Sequence, residues 1–267
     1  MQERNKGFAL LIVLWSLVLI SLLTTQIVAS GRTAMRLAGN LREAAQAKAA
    51  ADGGINEAIY HLTLEGKDSW QADGTVHVLQ DGGIPVAVQA DSLAGQINPN
   101  LASTGLLAGL FQALGSGPGQ AHQIAGAIIQ WRSLPLNKQE QKARLATYRR
   151  LGLPYGPPGH DFADLSELAD VAYMPPALLA SAMPYLNLFQ TGDPDPAKAA
   201  PLVRRALALA GQAGTNTQVY SGTAPVVSIQ AVAGIKGKFA VRREAIVSIV
   251  GQNGSFPFQL LSLSDAY

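Results

Sequence analysis

The chain reads as an α+β protein: a long N-terminal helix packed on an antiparallel sheet, with an all-helical insertion interrupting that sheet. Three observations predict this. An uncharged apolar run beginning at Phe8 passes into a proline-free, helix-rich stretch over residues 31–64. β-prone runs flank a glycine turn within residues 75–90 and return over 225–263. Between them, residues 99–196 form short helical runs cut by proline and glycine, which suits a separate helical block between strands.

The first element begins with a short charged leader, Glu3, Arg4 and Lys6, which ends at Gly7. No Asp, Glu, Lys or Arg then occurs before Arg32. Residues 8–30 are long enough to cross a bilayer as a helix, which takes roughly 20 apolar residues. Three readings compete. One is a cleaved secretion signal, with small residues at Val28-Ala29-Ser30, although the apolar run exceeds the usual length of about 7–15 residues. The second is an ordinary anchor. The third is a prepilin-type signal, cut before the apolar run so that the helix is kept. Residues 40–51 are dense in strong helix formers. Ile55, Ala58, Ile59 and Leu62 then repeat at i, i+3, i+4 and i+7, one apolar face. The pattern predicts one helix over residues 8–64, about 85 Å at 1.5 Å per residue. Gly31, Gly39 and the pair Gly53-Gly54 are its expected bends or thin spots. Such continuity has no purpose in a disposable signal.

Residues 75–79 and 84–90 read as a hairpin turning at Asp81-Gly82-Gly83, with Pro85 tolerable only at a strand start or edge. Helices are expected over residues 101–114, 120–131, 138–151, 166–171, 176–185 and 201–209. Gly115–Gly119, Leu134-Pro135 and 153–159 act as breakers. After a loop at 211–217, strands follow at 225–232, 239–250 and 258–263, with turns at 234–237 and 251–254.

Composition and motifs exclude several functions. The 267 residues carry a net charge of +2, so overall charge favours no nucleic-acid role, and the absence of cysteine removes disulfides and thiolate metal sites. His61, His77, His122 and His160 lack metal-ligand spacing. Ser221-Gly222 lacks a nucleophile elbow, and the glycine-rich 115–119 segment lacks the Lys-Ser or Lys-Thr of a phosphate loop, which leaves a plain linker. Two short helices around Met174-Pro175-Pro176 raise a DNA-binding hairpin, but no Lys or Arg occurs between Arg150 and Lys198. Asp161, Asp164, Glu167 and Asp170 stand there instead, so packing is the better reading. Lys236, Lys238, Arg242 and Arg243 read as a solvated strand face or part of a partner surface. Arg32, Arg36 and Arg42 suit lipid headgroups or acidic groups on neighbouring helices.

Gly7 followed by Phe8-Ala9-Leu10-Leu11-Ile12-Val13-Leu14-Trp15 resembles the cleavage region of the minor pseudopilin K family of type II secretion systems. Most pilins carry Glu as the fifth mature residue; here it is Ile12, a departure that matches the K family. Ala94-Gly95-Gln96-Ile97-Asn98-Pro99-Asn100, Ala127-Ile128-Ile129-Gln130-Trp131-Arg132, residues 162–168 and Pro184-Tyr185-Leu186 resemble family segments in the same order. Gln96 stands where the family usually has Lys.

The resemblance implies a pilin-like fold with an inserted all-α domain. The expected divisions are a leader at 1–7, a membrane and filament-core helix at 8–30, and a first pilin-like part at 31–98. An inserted helical domain at 99–196 and a second pilin-like part at 197–267 follow. It implies cleavage between Gly7 and Phe8 by prepilin peptidase, methylation of Phe8, and a non-enzymatic role. The implied partners are the minor pseudopilins I and J, the major pseudopilin, the inner membrane and exported substrates, with no nucleic acid. The bulk is expected in the periplasm and at the tip of the pseudopilus. Calcium is a candidate in this family; Asp193 with Asp195, or Asp161 with Asp164, offers carboxylates, but no site is assignable. The residues also leave open a minor pilin of a type IV pilus and a secreted enzyme with a conventional signal.

Overall fold

The computed structural model describes residues 4–211, 225–235, 239–250 and 257–265. Helix α1 (Arg4–Thr63) leads into strands β1 (Asp73–Asp81) and β2 (Ile84–Ser92). A helical body follows: a 3-10 turn at Leu93–Gly95, then α2 (Thr104–Ala113), α3 (Pro118–Arg132), α4 (Lys138–Arg150), α5 (Pro176–Ala182) and α6 (Pro201–Leu209). Strands β3 (Val226–Ile235), β4 (Phe239–Ile249) and β5 (Phe258–Asp265) complete an antiparallel sheet in the order β1-β2-β3-β4-β5. The α+β class and the long helix on a sheet are as the sequence predicts. The expected turns at 236–237 and 251–254, the loop at 212–217, Ser221-Gly222, Lys236 and Lys238 lie outside the described residues.

The β1–β2 turn puts Gly82 at φ 54° and Gly83 at φ 81°, both left-handed, as a two-residue hairpin turn requires. Pro85 pairs only with Gln80, one residue before the β2–β3 ladder begins at Val86, so its missing N–H costs that ladder nothing. β3 continues through Gly234 and Ile235, where a turn was expected, because the ladder extends to the pairs Gly234–Ala240 and Ile235–Phe239.

One face of the sheet, built from Val86, Val88, Ile229, Ala231, Ala245 and Val247, packs against Ala47, Ala50, Ala51, Ile55, Ala58 and Ile59 of α1. Four of the six helix residues are alanines, so the helix backbone sits close to the strands. Gly53 and Gly54, expected as bends, lie inside an unbroken helix. A Cβ on Gly54 would come within 2.8 Å of Val86 Cγ1 and 2.9 Å of Val88 Cγ2, so the residue is there for contact rather than flexure. Gly31 and Gly39 face open space within the same helix. Beyond α1, Trp70 is stacked between His61 and His77, with centroid separations of 4.6 and 3.7 Å, and so ties the returning chain to β1.

Arg242 and Arg243 point to opposite faces of β4, since side chains alternate along a strand. Arg242 is exposed, whereas Arg243 is only 7% exposed. Arg243 Nε donates to Asp52 Oδ1 at 2.7 Å and Nη1 to Asp265 Oδ1 at 2.6 Å. Lys48 Nζ lies 3.0 Å from the same Asp265 oxygen. Arg243 is therefore no part of a solvated basic face; it clamps α1 and β5 to β4.

The helical body has its own core, including Leu106, Leu107, Leu110, Phe111, Ile124 and Ile128. α6, placed with the returning strands by the sequence, packs on α2 instead. Val203, Ala206 and Leu207 enter this core, and Gly109 of α2 lies directly against the Ala206 backbone. Residues 165–170 form a 3-10 helix rather than an α-helix, started by a capping box of Asp164 and Glu167. The linker at 115–119 does double duty: Gly117 caps α3 and Pro118 opens it.

Gly54→Val should destabilise the chain by about 1–3 kcal/mol, because the helix must lift off the sheet. Gly39→Ala should be neutral or stabilising by up to about 1 kcal/mol. Urea unfolding of the detergent-solubilised chain measures both. Arg243→Met should cost about 1–3 kcal/mol by the same assay, the loss of two charge-assisted hydrogen bonds. Hydrogen bonds from Lys48, then from Arg243, hold the Asp265 carboxyl below its ordinary range. That contribution is complete above the unfolded carboxylate pKa of about 4 and is lost as pH falls through the lowered folded value. The stability gap between the parent chain and Asp265→Asn should therefore close on acidification below about pH 4.

Candidate assembly surface

α1 supplies the most unusual surface. One face of its last third is buried by the sheet, while Leu10, Leu11, Leu14, Trp15, Leu19 and Leu22 stand exposed on a helix with no protein around it. It is long and apolar enough to cross a membrane. Ser16, Thr24 and Thr25 turn their hydroxyls back to the carbonyls of Ile12, Ile20 and Ser21 at 2.8 to 2.9 Å. A hydroxyl satisfied by its own helix can enter lipid or an apolar bundle without an orphaned donor. Beyond this run, Arg32, Arg36 and Arg42 are helical and exposed, between the apolar half and the packed half.

Gly7 and Phe8 lie in the early turns of α1. Ile12 is 53% exposed and shares a strip with Leu11, Trp15, Ser16, Leu19 and Ile20. No carboxylate interrupts that strip.

The scattered segments of the helical body meet at one knot. Ile97 N–H donates to Tyr185 O at 2.9 Å and Asn187 N–H donates to Ile97 O at 3.1 Å, a parallel bridge between the 96–98 and 185–187 segments. Buried Asn98 donates to Leu188 O and Gln190 O and accepts from Asn100 N–H. Asn100 in turn pairs with both backbone groups of Phe162. Arg132 donates to Pro99 O and to Ala102 O, so α3 is tied to the same turn, and Trp131 stacks on Phe162 at 6.0 Å. Burial lowers the Arg132 pKa from its ordinary value. Asn187, whose side-chain oxygen accepts from Phe189 and Gln190 N–H, escaped the sequence reading; its only signal was the parallel between Ile97-Asn98 and Leu186-Asn187.

Two of the four acidic residues weighed for calcium serve the backbone. Asp164 accepts from Ser166 N–H, and the Ser166 side chain, then its backbone, holds that carboxyl below the usual range; Asp195 accepts from Ala197 N–H. Among the described residues, no three His, Cys, Asp or Glu side chains gather as a metal group. His122 and His160 each contact a nearby backbone carbonyl. A groove of about 350 Å³ between α1 and the first hairpin is lined by Gly53, Gly54, Glu57, Leu79, Gln80, Asp81 and Val86, with neither hydroxyl nor imidazole.

Residues 86–191 match the family model for protein K of the type II secretion system. No curated protein sequence matches the chain. Among solved structures, a chain of the GspK-GspI-GspJ complex from enterotoxigenic Escherichia coli shares its fold. The TM-score is 0.58 at 15% identity, over 85% of this chain and 98% of that one. The matched sequence covers β2, the Asn98 knot and the helical body as far as Gln190, while the fold similarity takes in the greater part of the chain. The sequence match is thus to protein K of the type II secretion system over residues 86–191, and the fold is similar to that of a chain in the complex of GspK, GspI and GspJ.

Proposed function

We propose that this chain is a minor pseudopilin at the tip of a type II secretion pseudopilus, where it initiates filament assembly and supports the export of folded proteins. The observation that carries the reading is α1 itself: one unbroken helix, bare and apolar in its first half and seated on its own sheet in its second. The bare half suits a single-pass inner-membrane anchor before assembly and helix packing afterwards, with the sheet and helical body in the periplasm. The family match to a secretion component favours this over a type IV minor pilin. The role is structural rather than enzymatic.

Cleavage by prepilin peptidase between Gly7 and Phe8, with methylation of Phe8, leaves Ile12 as the fifth residue. A carboxylate there would be costly in lipid unless paired with the terminal amine of a preceding neighbour. An initiating subunit has no such neighbour, and Ile12 avoids the cost. The helical body between β2 and β3 adds bulk beside the sheet, which is easiest to place where no subunit stacks above. The solved relative assembles with GspI and GspJ. By that likeness the proposed partners are the minor pseudopilins I and J, with the major pseudopilin below and the exported substrate above.

Intact mass of the membrane-extracted protein should show loss of residues 1–7 and one added methyl group; a cut near Ser30 would overturn the pilin-type reading. Ile12→Glu should let the subunit enter the filament shaft. Immunogold counts along sheared filaments read this out, and labelling confined to the tip in the variant would remove Ile12 as the determinant.

A further inference from the structure

The corner between α3 and α4 combines a loop fixed by buried charge with leucines left in solvent. Leu134 is 74% exposed and Leu136 is 91% exposed. Yet the backbone that carries them is held firmly. Arg144 is buried beneath it and donates to Gln130 O and Ser133 O at 2.7 and 2.6 Å. Its guanidinium also grips Glu140 Oε1 at 2.7 Å, while Glu140 Oε2 accepts the Leu136 N–H at 2.7 Å. The Leu136 N–H and Arg144 together keep the Glu140 carboxyl below its usual range. Asn137 caps α4 through the Glu140 N–H. The loop therefore presents its leucines already ordered, which lowers the entropy lost on binding.

Beside the loop runs a mostly apolar groove of about 310 Å³, lined by Leu134, Pro135, Leu145, Pro157 and Pro158 together with Gln141 and the paired Arg144. α4, which lines the groove through Gln141, Arg144 and Leu145, also carries Lys138, Lys142 and Arg149, all exposed. At 3.6 residues per turn these three lie on one face of the helix, within roughly 40° of each other. None of them forms an ion pair among the described residues. The one carboxylate on α4, Glu140, is already engaged by Arg144. The surface thus offers an apolar slot, two ordered leucines and an uncompensated basic stripe.

We infer that the α3–α4 corner docks an acidic amphipathic segment of a partner protein, whose apolar side chains enter the groove beside Leu134 and Leu136 and whose carboxylates meet Lys138, Lys142 and Arg149. The groove accepts side chains, and the stripe selects their neighbours by charge. This surface is independent of α1 and of the filament role.

Two synthetic helical peptides with the same leucine spacing, one with glutamates and one with lysines at the polar positions, test the idea against the full chain in neutral detergent. Fluorescence anisotropy reads binding at low and at physiological salt. The glutamate peptide should bind at least about tenfold tighter than the lysine peptide, and salt should weaken it. Leu136→Ser and Lys142→Glu should each reduce its affinity by about tenfold or more. Both side chains are exposed, so an unchanged thermal melt confirms that the variants fold. Equal binding of the two peptides, no binding of either, or no effect of both substitutions would overturn the inference. So would binding of phosphatidylglycerol vesicles by a detergent-free chain lacking residues 1–30, lost in Leu136→Ser, with no response to the glutamate peptide; that result would make the corner a lipid-binding surface.

Discussion

The close seating of α1 on the sheet is the contact on which the rest of the structure depends. Ala47, Ala51, Gly54 and Ala58 form a small-residue seam along the helix, and Ile55 and Ile59 fill the space beside it. The valines and alanines of β2, β3 and β4 supply the opposing surface. Each isoleucine contributes on the order of 1.5–3 kcal/mol by leaving water, but the seam decides how near the backbones come. Arg243 then closes the contact laterally by joining Asp52 of the helix to Asp265 of the edge strand. Because the grip ends near Ala47, the described part of α1 before it lies clear of the chain's own sheet, with Leu10–Gln26 exposed.

The sheet also explains how so large a helical body fits into a pilin-like fold. β2 and β3 are hydrogen-bonded neighbours with the pair Ser92–Val227 at the end of their ladder, so the chain leaves and re-enters the sheet at nearly the same place. Nothing in the ladder limits what lies between. The helical body has a core of its own and a polar knot at Asn98, Asn100, Asn187 and Arg132 that joins segments about ninety residues apart. Each buried amide in that knot is bonded to backbone groups, so a substitution there strands several partners at once.

Much of the fold was legible because local signals agreed. Apolar spacing at Ile55, Ala58, Ile59 and Leu62, the Asp81-Gly82-Gly83 turn and the breakers at Gly115–Gly119 all point the same way as the final structure. Nearly every helix and strand lies within a few residues of its expected place. The exceptions concern partners rather than propensities. Gly53 and Gly54 looked like weak points because a helical glycine is unfavourable in isolation, and only the valines across the seam explain them. His61 and His77 looked scattered because nothing local announces that Trp70 will stand between them.

By itself the sequence determined the class, the order of the elements and the long helix with its uncharged first half. These depend on spacing and composition along a single stretch of chain. The tertiary structure alone decided where Arg243 ends up, that α6 joins α2, and that Gln96, Asn98, Trp131, Phe162 and Leu186 belong to one knot. It also decided that Leu134 and Leu136 stay in solvent above a buried arginine. Those outcomes depend on which distant surface a side chain meets, and neighbours in sequence carry no record of that.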